Sequence, residues 1–236
     1  MPSDGSGRKS VFEKIREHHG RMVDKESRKF RWRFTTLRND FTELKEIHQL
    51  ELPRATERGE QLETQGYVFE VERKLFHYLS GLYTLIEQQK ALQNGIGDSF
   101  RGELGEVRGE YLGSETARTI MGLRHFVQHE NVLPLQVRTS KLDQSSSLVL
   151  LVDDLHRQGE DRDFESHFGH IDGAYFDPLE WIEKDWPNVE TFFSDSIEVI
   201  EEQTKEEREE LNKLNKEVDA LYDRVSQDLR ELREKK

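Results

Sequence analysis

The sequence predicts a mostly helical bundle with long N- and C-terminal helices and a small β-hairpin insertion. Three observations lead there. Hydrophobic residues make up 33% of the chain and charged residues 35%, a balance that suits elongated helices with a thin apolar seam and wide solvated faces. Apolar side chains recur at alternating spacings of three and four across most of residues 11–133, the seam of helix packed on helix. A short run rich in leucine and β-branched residues then breaks the pattern before helical spacing resumes near residue 177.

Taken in order, residues 1–10 ("MPSDGSGRKS") are small, polar and glycine-bearing, and are expected to be a disordered N-terminus. Residues 11–135 read as a bundle of four helices. The first starts at Val11 and sharpens at Phe30, Phe34, Leu37, Phe41 and Leu44, with Pro53 expected to interrupt it. The second carries Val68, Val71, Leu75, Leu79, Leu82 and Ile86 on one stripe. "NGIGDS" should end it, with Asp98 or Ser99 capping the next helix. A short helix follows through "FRGELGEVRGEYL". The fourth begins after Ser114, buries Ala117, Ile120, Leu123 and Val127, and must stop near Pro134.

Residues 136–156 read as the hairpin, from "PLQVRTS" and "SSSLVLLVDD", and residues 157–176 as a polar, glycine-dotted loop. Residues 177–236 are expected to form a long C-terminal helix with Pro187 in its first turn. Leu211, Leu214, Val218, Leu221 and Val225 follow near-heptad spacing there, which slips by one to Leu229 and Leu232. Such a helix pairs with something, either the N-terminal helix of its own chain or a second copy.

The net charge of −13 works against nonspecific binding to nucleic acid or anionic lipid, which needs a positive face. Cysteine is absent, so disulfides, thiolate metal sites and cysteine nucleophiles are excluded. No apolar signal core or membrane-length run is present. The expectation is a cytoplasmic protein with no membrane association and no cofactor.

Four motifs carry candidate chemistry. "LVLLVDD" resembles a strand ending in magnesium-holding acids, but the glycine-rich phosphate loop that should accompany it is missing, so a half-buried strand with a solvated end is the better reading. "RKFRWRF" sets Arg28, Lys29, Arg31 and Arg33 among Phe30, Trp32 and Phe34, an arrangement that can stack bases and hold phosphate. Because Phe30 and Phe34 already belong to the packing stripe, a helix with a core face and a basic face explains the same letters. Arg28, Lys29, Arg31, Trp32 and Arg33 remain the place to look for RNA. His125 and His129 are four apart and could share a metal ion, yet no third ligand stands nearby, so no metal site is expected. "HH" at 18–19 and the histidines of "SHFGH" read as scattered surface residues.

The fourth motif is "GLRHFVQHE" at residues 122–130. An imidazole titrates near working pH and can move a proton to or from a ribose hydroxyl. A guanidinium offers paired donors to the extra charge on phosphorus in the transition state. Arg124 and His129 are therefore the candidate pair. They meet best if the helix ends between them, which Asn131 and Pro134 suggest.

"RHFVQH" resembles the R-x(4–6)-H signature of the HEPN superfamily, with a polar residue, here His125, directly after the arginine. "LFHYLSGLYTLIEQQKAL" is similar to the earlier helix of HEPN-like proteins, so the resemblance covers roughly residues 65–140. It implies an all-helical core and a homodimer bringing two motifs into one cleft. Many members are metal-independent endoribonucleases that act as toxins or defence effectors; others serve as binding or scaffold domains. The resemblance places phosphate binding on Arg124, proton transfer on His129 and a supporting role on His125. The hairpin and the heptad-bearing tail lie outside the family pattern, and asparagine is commoner where His125 stands. Two readings stay open. One is RNA cleavage through 2′-hydroxyl transesterification, with a cognate antitoxin as a candidate partner. The other is a noncatalytic helical interaction or scaffold protein, in which Arg124 pairs with a glutamate, His129 caps its helix and the tail recruits a protein.

Overall fold

The computed structural model describes residues 10–57, 61–96, 98–130, 133–139, 146–158 and 166–234, with the side chains of 51, 53–63, 95–101, 129–130, 156–158 and 232–234 outside that description. Of the expected disordered N-terminus 1–10, residues 1–9 fall outside it, and Ser10 is ordered as a helix cap. The fold is mostly helical with a small three-stranded antiparallel sheet.

Helix α1 (Val11–Glu17) opens with a capping box: Glu13 N donates to Ser10 Oγ at 3.3 Å, and Ser10 N donates to Glu13 Oε2 at 2.9 Å. It does not continue into α2 (His19–Glu57), because His18 turns extended at ψ 126°. The single N-terminal helix of the sequence reading is thus two. Pro53 does not end α2, which runs on to Glu57. A proline removes only one amide donor, and its φ remains helical, so the helix can pass through it. Helix α3 (Gln61–Ile96) returns antiparallel to α2, as cross-pairs such as His48 with Tyr67 and Gln88 with Glu26 require.

Helices α4 (Asp98–Gly113) and α5 (Glu115–Glu130) follow the predicted positions. Ser114 caps α5 as expected, with Ala117 N donating to its Oγ at 3.1 Å. Strands β1 (Leu135–Thr139) and β2 (Ser146–Leu151) form the antiparallel hairpin, with Leu135 opposite Leu150 and Thr139 opposite Ser146. The strand stops sooner than "SSSLVLLVDD" suggests. Val152 starts helix α6 (Val152–Gln158), and Asp153 and Asp154 occupy its first turn, where the positive helix end favours carboxylates.

The expected polar loop 157–176 also contains structure. A helical turn spans 166–168, Gly173 takes a φ of +130° that favours glycine, and β3 (Tyr175–Phe176) adds a third strand to β2. Two residues are too few to show a strand period in sequence.

The predicted single C-terminal helix is two helices. In α7 (Pro178–Gln203), Asp177 caps the start, accepting from the amides of Leu179 at 2.8 Å and Glu180 at 3.3 Å, and Pro178 takes the first turn. Pro187 instead lies inside α7, on an exposed face. A break at Thr204 leads to α8 (Lys205–Glu234).

Helix α7 belongs to the bundle. Phe34 stacks on Phe193 at 3.8 Å and 4°, Phe41 stacks on Trp186 at 4.3 Å and 3°, and Phe30 meets Phe192 edge-on at 6.4 Å. This aromatic ladder joins α2 to α7 along several turns. Tyr111 of α4 packs on Phe192 from the other side at 5.2 Å.

One carboxylate sits inside that packing. Asp185 has no exposed surface and accepts from Tyr111 Oη and Thr116 Oγ1, each at 2.8 Å, and from Asn188 Nδ2 at 3.4 Å. It ties α7 to α4 and α5. Burial raises its carboxyl above the usual range, against the lowering effect of those three donors.

Candidate functional site

Helix α5 carries the Arg124 motif. It is held through a buried face of Ala117, Ile120, Leu123, Phe126 and Val127, which includes all four predicted inward positions. Arg124 follows the buried Leu123 and is half-buried, while His125 is exposed. The Arg124 guanidinium carbon lies 3.5 Å from the centroid of the Tyr83 ring on α3. An aromatic face is therefore its partner among the described residues, not the glutamate considered from sequence. A cation placed over a ring gains about 0.5–2 kcal/mol and is fixed in direction.

The His129 backbone lies in α5, but its side chain lies outside the described residues. Helix α5 runs unbroken to Glu130. The expected ending between Arg124 and His129 does not occur, because the buried Phe126 and Val127 keep that turn packed. At 3.6 residues per turn, positions five apart point roughly 140° away from each other.

The opposite side of α5 is covered by the "SHFGH" segment, which the sequence suggested was surface. A Cβ at Gly122 would lie 2.6 Å from His167 Cβ and 2.9 Å from Phe168 Cζ, so glycine is what lets this segment sit on the helix. His167 Nδ1–H donates to Arg118 O at 3.0 Å. His170 Nε2–H donates to Thr119 Oγ1 at 2.8 Å, and that hydroxyl donates to Glu115 O at 3.1 Å. These histidines anchor a strap. No sequence periodicity announces them; the small residue at 122 is the only local signal.

The "RKFRWRF" cluster divides by helix face. Phe30 and Phe34 are core, and Trp32 is 59% exposed with Arg33 stacked 4.9 Å from its ring centroid. Arg28 pairs with Asp24, Lys29 with Glu26 at 2.6 Å, and Arg31 with Glu201 at 2.5 Å. Hydrogen bonding from Lys29 holds the Glu26 carboxyl below its ordinary range. Three of the four cations thus have carboxylates beside them, which cuts the positive potential that phosphate attraction requires.

No group of three or more metal-ligating side chains occurs among the described residues, and no described helix is long and apolar enough to cross a membrane. Models of known families, curated proteins and solved structures give no match to this chain.

The base of α8 is latched to the start of the bundle. His19 Nδ1 lies 3.0 Å from Glu207 Oε1, and His18 Nε2 lies 3.5 Å from Glu210 Oε2. A Cβ at Gly20 would lie 3.1 Å from Glu207 O, so the chains approach closely there. Phe12 of α1 meets Tyr222 edge-on at 6.2 Å. The "HH" pair therefore has a structural partner that sequence spacing could not reveal, since 188 positions separate His19 from Glu207. Past Val218 every described side chain to residue 231 is exposed, and beyond the contact of Tyr222 with Phe12 the helix leaves the bundle. Helix α7 and the base of α8 thus lie against the other helices, while the outer part of α8 is exposed.

Proposed function

We propose that this chain is a noncatalytic helical interaction module, a HEPN-like bundle that acts by docking another protein surface. One observation carries the reading. The outer part of α8 holds Leu221 at 40%, Tyr222 at 61%, Val225 at 55% and Leu229 at 55% exposure on an otherwise charged helix. An isolated helix of that length is marginal in water, and an apolar stripe along it is stabilised when something covers it.

The ribonuclease reading asks for a guanidinium and an imidazole converging on one phosphate. Arg124 is instead turned onto Tyr83, and α5 runs unbroken through position 129, whereas such a pair meets best where the helix ends between its members.

The test is incubation of the purified chain with total RNA in chelator, beside Arg124→Ala and His129→Ala. The expected result is the same background in all three. Cleavage by the wild type that disappears in both variants overturns the interaction reading and restores metal-independent RNA cleavage.

A further inference from the structure

The stripe on α8 also indicates what covers it. Helix α1 lies antiparallel along the base of α8, with its C-cap His18 beside Glu210 at one end and Phe12 beside Tyr222 at the other. Leu211, Leu214 and Val218 are half-buried in this stretch. Beyond it the apolar positions continue as Val218, Tyr222, Val225 and Leu229, at spacings of four, three and four. That alternation is a coiled-coil seam; Tyr222 meets Phe12 at the end of α1, and Val225 and Leu229 lie beyond that contact.

The charges favour one kind of occupant. Residues 219–236 contain five acidic and five basic side chains, so the whole net charge of −13 resides in residues 1–218. Two copies of an acidic body repel each other, and this is the segment through which they can meet without that cost. A strongly acidic or strongly basic partner would instead call for a net charge on the helix. Within the seam frame, Asp228 and Arg233 take the two flanking positions five residues apart. In a parallel pair such positions face each other across the interface, opposite in sign and satisfied on both sides of the two-fold axis. No like charges meet at the flanks in this register.

We propose that the outer part of α8 pairs with the same helix of a second copy of this chain, as a short parallel coiled coil. The proposal rests on the interaction reading and names its partner. The seam is short, so pairing depends on α8 being preformed at its base, where the latch to α1 and α2 reduces the ordering that association must impose.

The experiment uses the full chain in sedimentation velocity over micromolar to tens of micromolar concentrations. The wild type should sediment with the mass of two chains, and the double variant Val225→Glu/Leu229→Glu with half that mass. Both positions lie outside the bundle, so circular dichroism and the main unfolding transition should be unchanged. Asp228→Arg should weaken association, and Asp228→Arg combined with Arg233→Asp should restore it. Because the chain has no cysteine, Val225→Cys is a single reporter of orientation: parallel pairing brings the two copies of residue 225 together and gives a disulfide-linked dimer on oxidation. A monomeric wild type, an unchanged mass in the double variant, or a dimer that resists cross-linking at 225 overturns the proposal. The RNA assay is blind to all three outcomes, so failure of the pairing and failure of the noncatalytic reading are separate results.

Discussion

Replacing Phe34 with alanine tests the packing that defines this fold. Phe34 is 4% exposed and lies between Phe193, stacked at 3.8 Å, and Trp186, whose ring centroid is 6.0 Å away. Truncation removes most of a buried aromatic side chain, worth about 2–3 kcal/mol of transfer free energy. It also breaks a stacked aromatic pair worth about 0.5–1.5 kcal/mol, and the residual cavity raises the total to about 3–5 kcal/mol. Equilibrium unfolding in urea, followed by far-ultraviolet circular dichroism, reads this as a lower midpoint at unchanged slope. For a chain of this size each kcal/mol corresponds to roughly 2–4 °C in melting temperature. The control is Trp32→Ala, two residues away on the exposed face, expected within about 0.5 kcal/mol of wild type. Equal losses for the two variants, or a Phe34→Ala loss below about 1 kcal/mol, would show that α7 does not pack on this face of α2. The division of "RKFRWRF" into core and surface would fail with it.

Two further substitutions probe other parts of the argument. Asp185→Asn removes a buried carboxylate whose pKa is raised in the fold by desolvation. Its contribution is complete below the unfolded carboxyl pKa and is lost as pH rises through the folded value. The variant should therefore gain on the wild type in urea midpoint as pH rises above the ordinary carboxylate range of about 4; a variant that instead loses ground toward neutrality would contradict this sign. Gly122→Ala drives a methyl into His167 and Phe168 and should cost about 1–3 kcal/mol, whereas Gly109→Ala, with nothing within 4 Å of the new Cβ, should stabilise by about 0.5–1 kcal/mol. Equal stability of the two alanine variants in urea would mean that the strap does not rest on α5.

The local signals that proved readable are those acting within a few residues. The stripe Phe30, Phe34, Leu37, Leu44 is buried as its spacing demands. Ser114 caps α5, and the hairpin falls on the leucine-rich run. The misreadings have a common origin. Pro53 and Pro187 read as helix punctuation, yet both lie inside helices, because a proline removes a single amide donor while its φ stays helical. For the candidate site, the residue types at 124, 125 and 129 were visible, but their directions were not. The phase of Arg124 depends on α5 continuing to Glu130, and that depends on the core beneath Phe126 and Val127.

The chain by itself determined its helical character, the Ser114 cap and the inward faces of α2, α3 and α5, because those follow from signals along one segment. Only the tertiary structure decided that α7 enters the bundle while the outer part of α8 leaves it. It also decided that His18 and His19 latch a helix 188 positions away and that Arg124 rests on Tyr83. The physical reason is that both C-terminal helices carry an apolar stripe, and a stripe states only that it is to be covered. What covers it is settled by the shape and charge of surfaces brought together from distant parts of the chain.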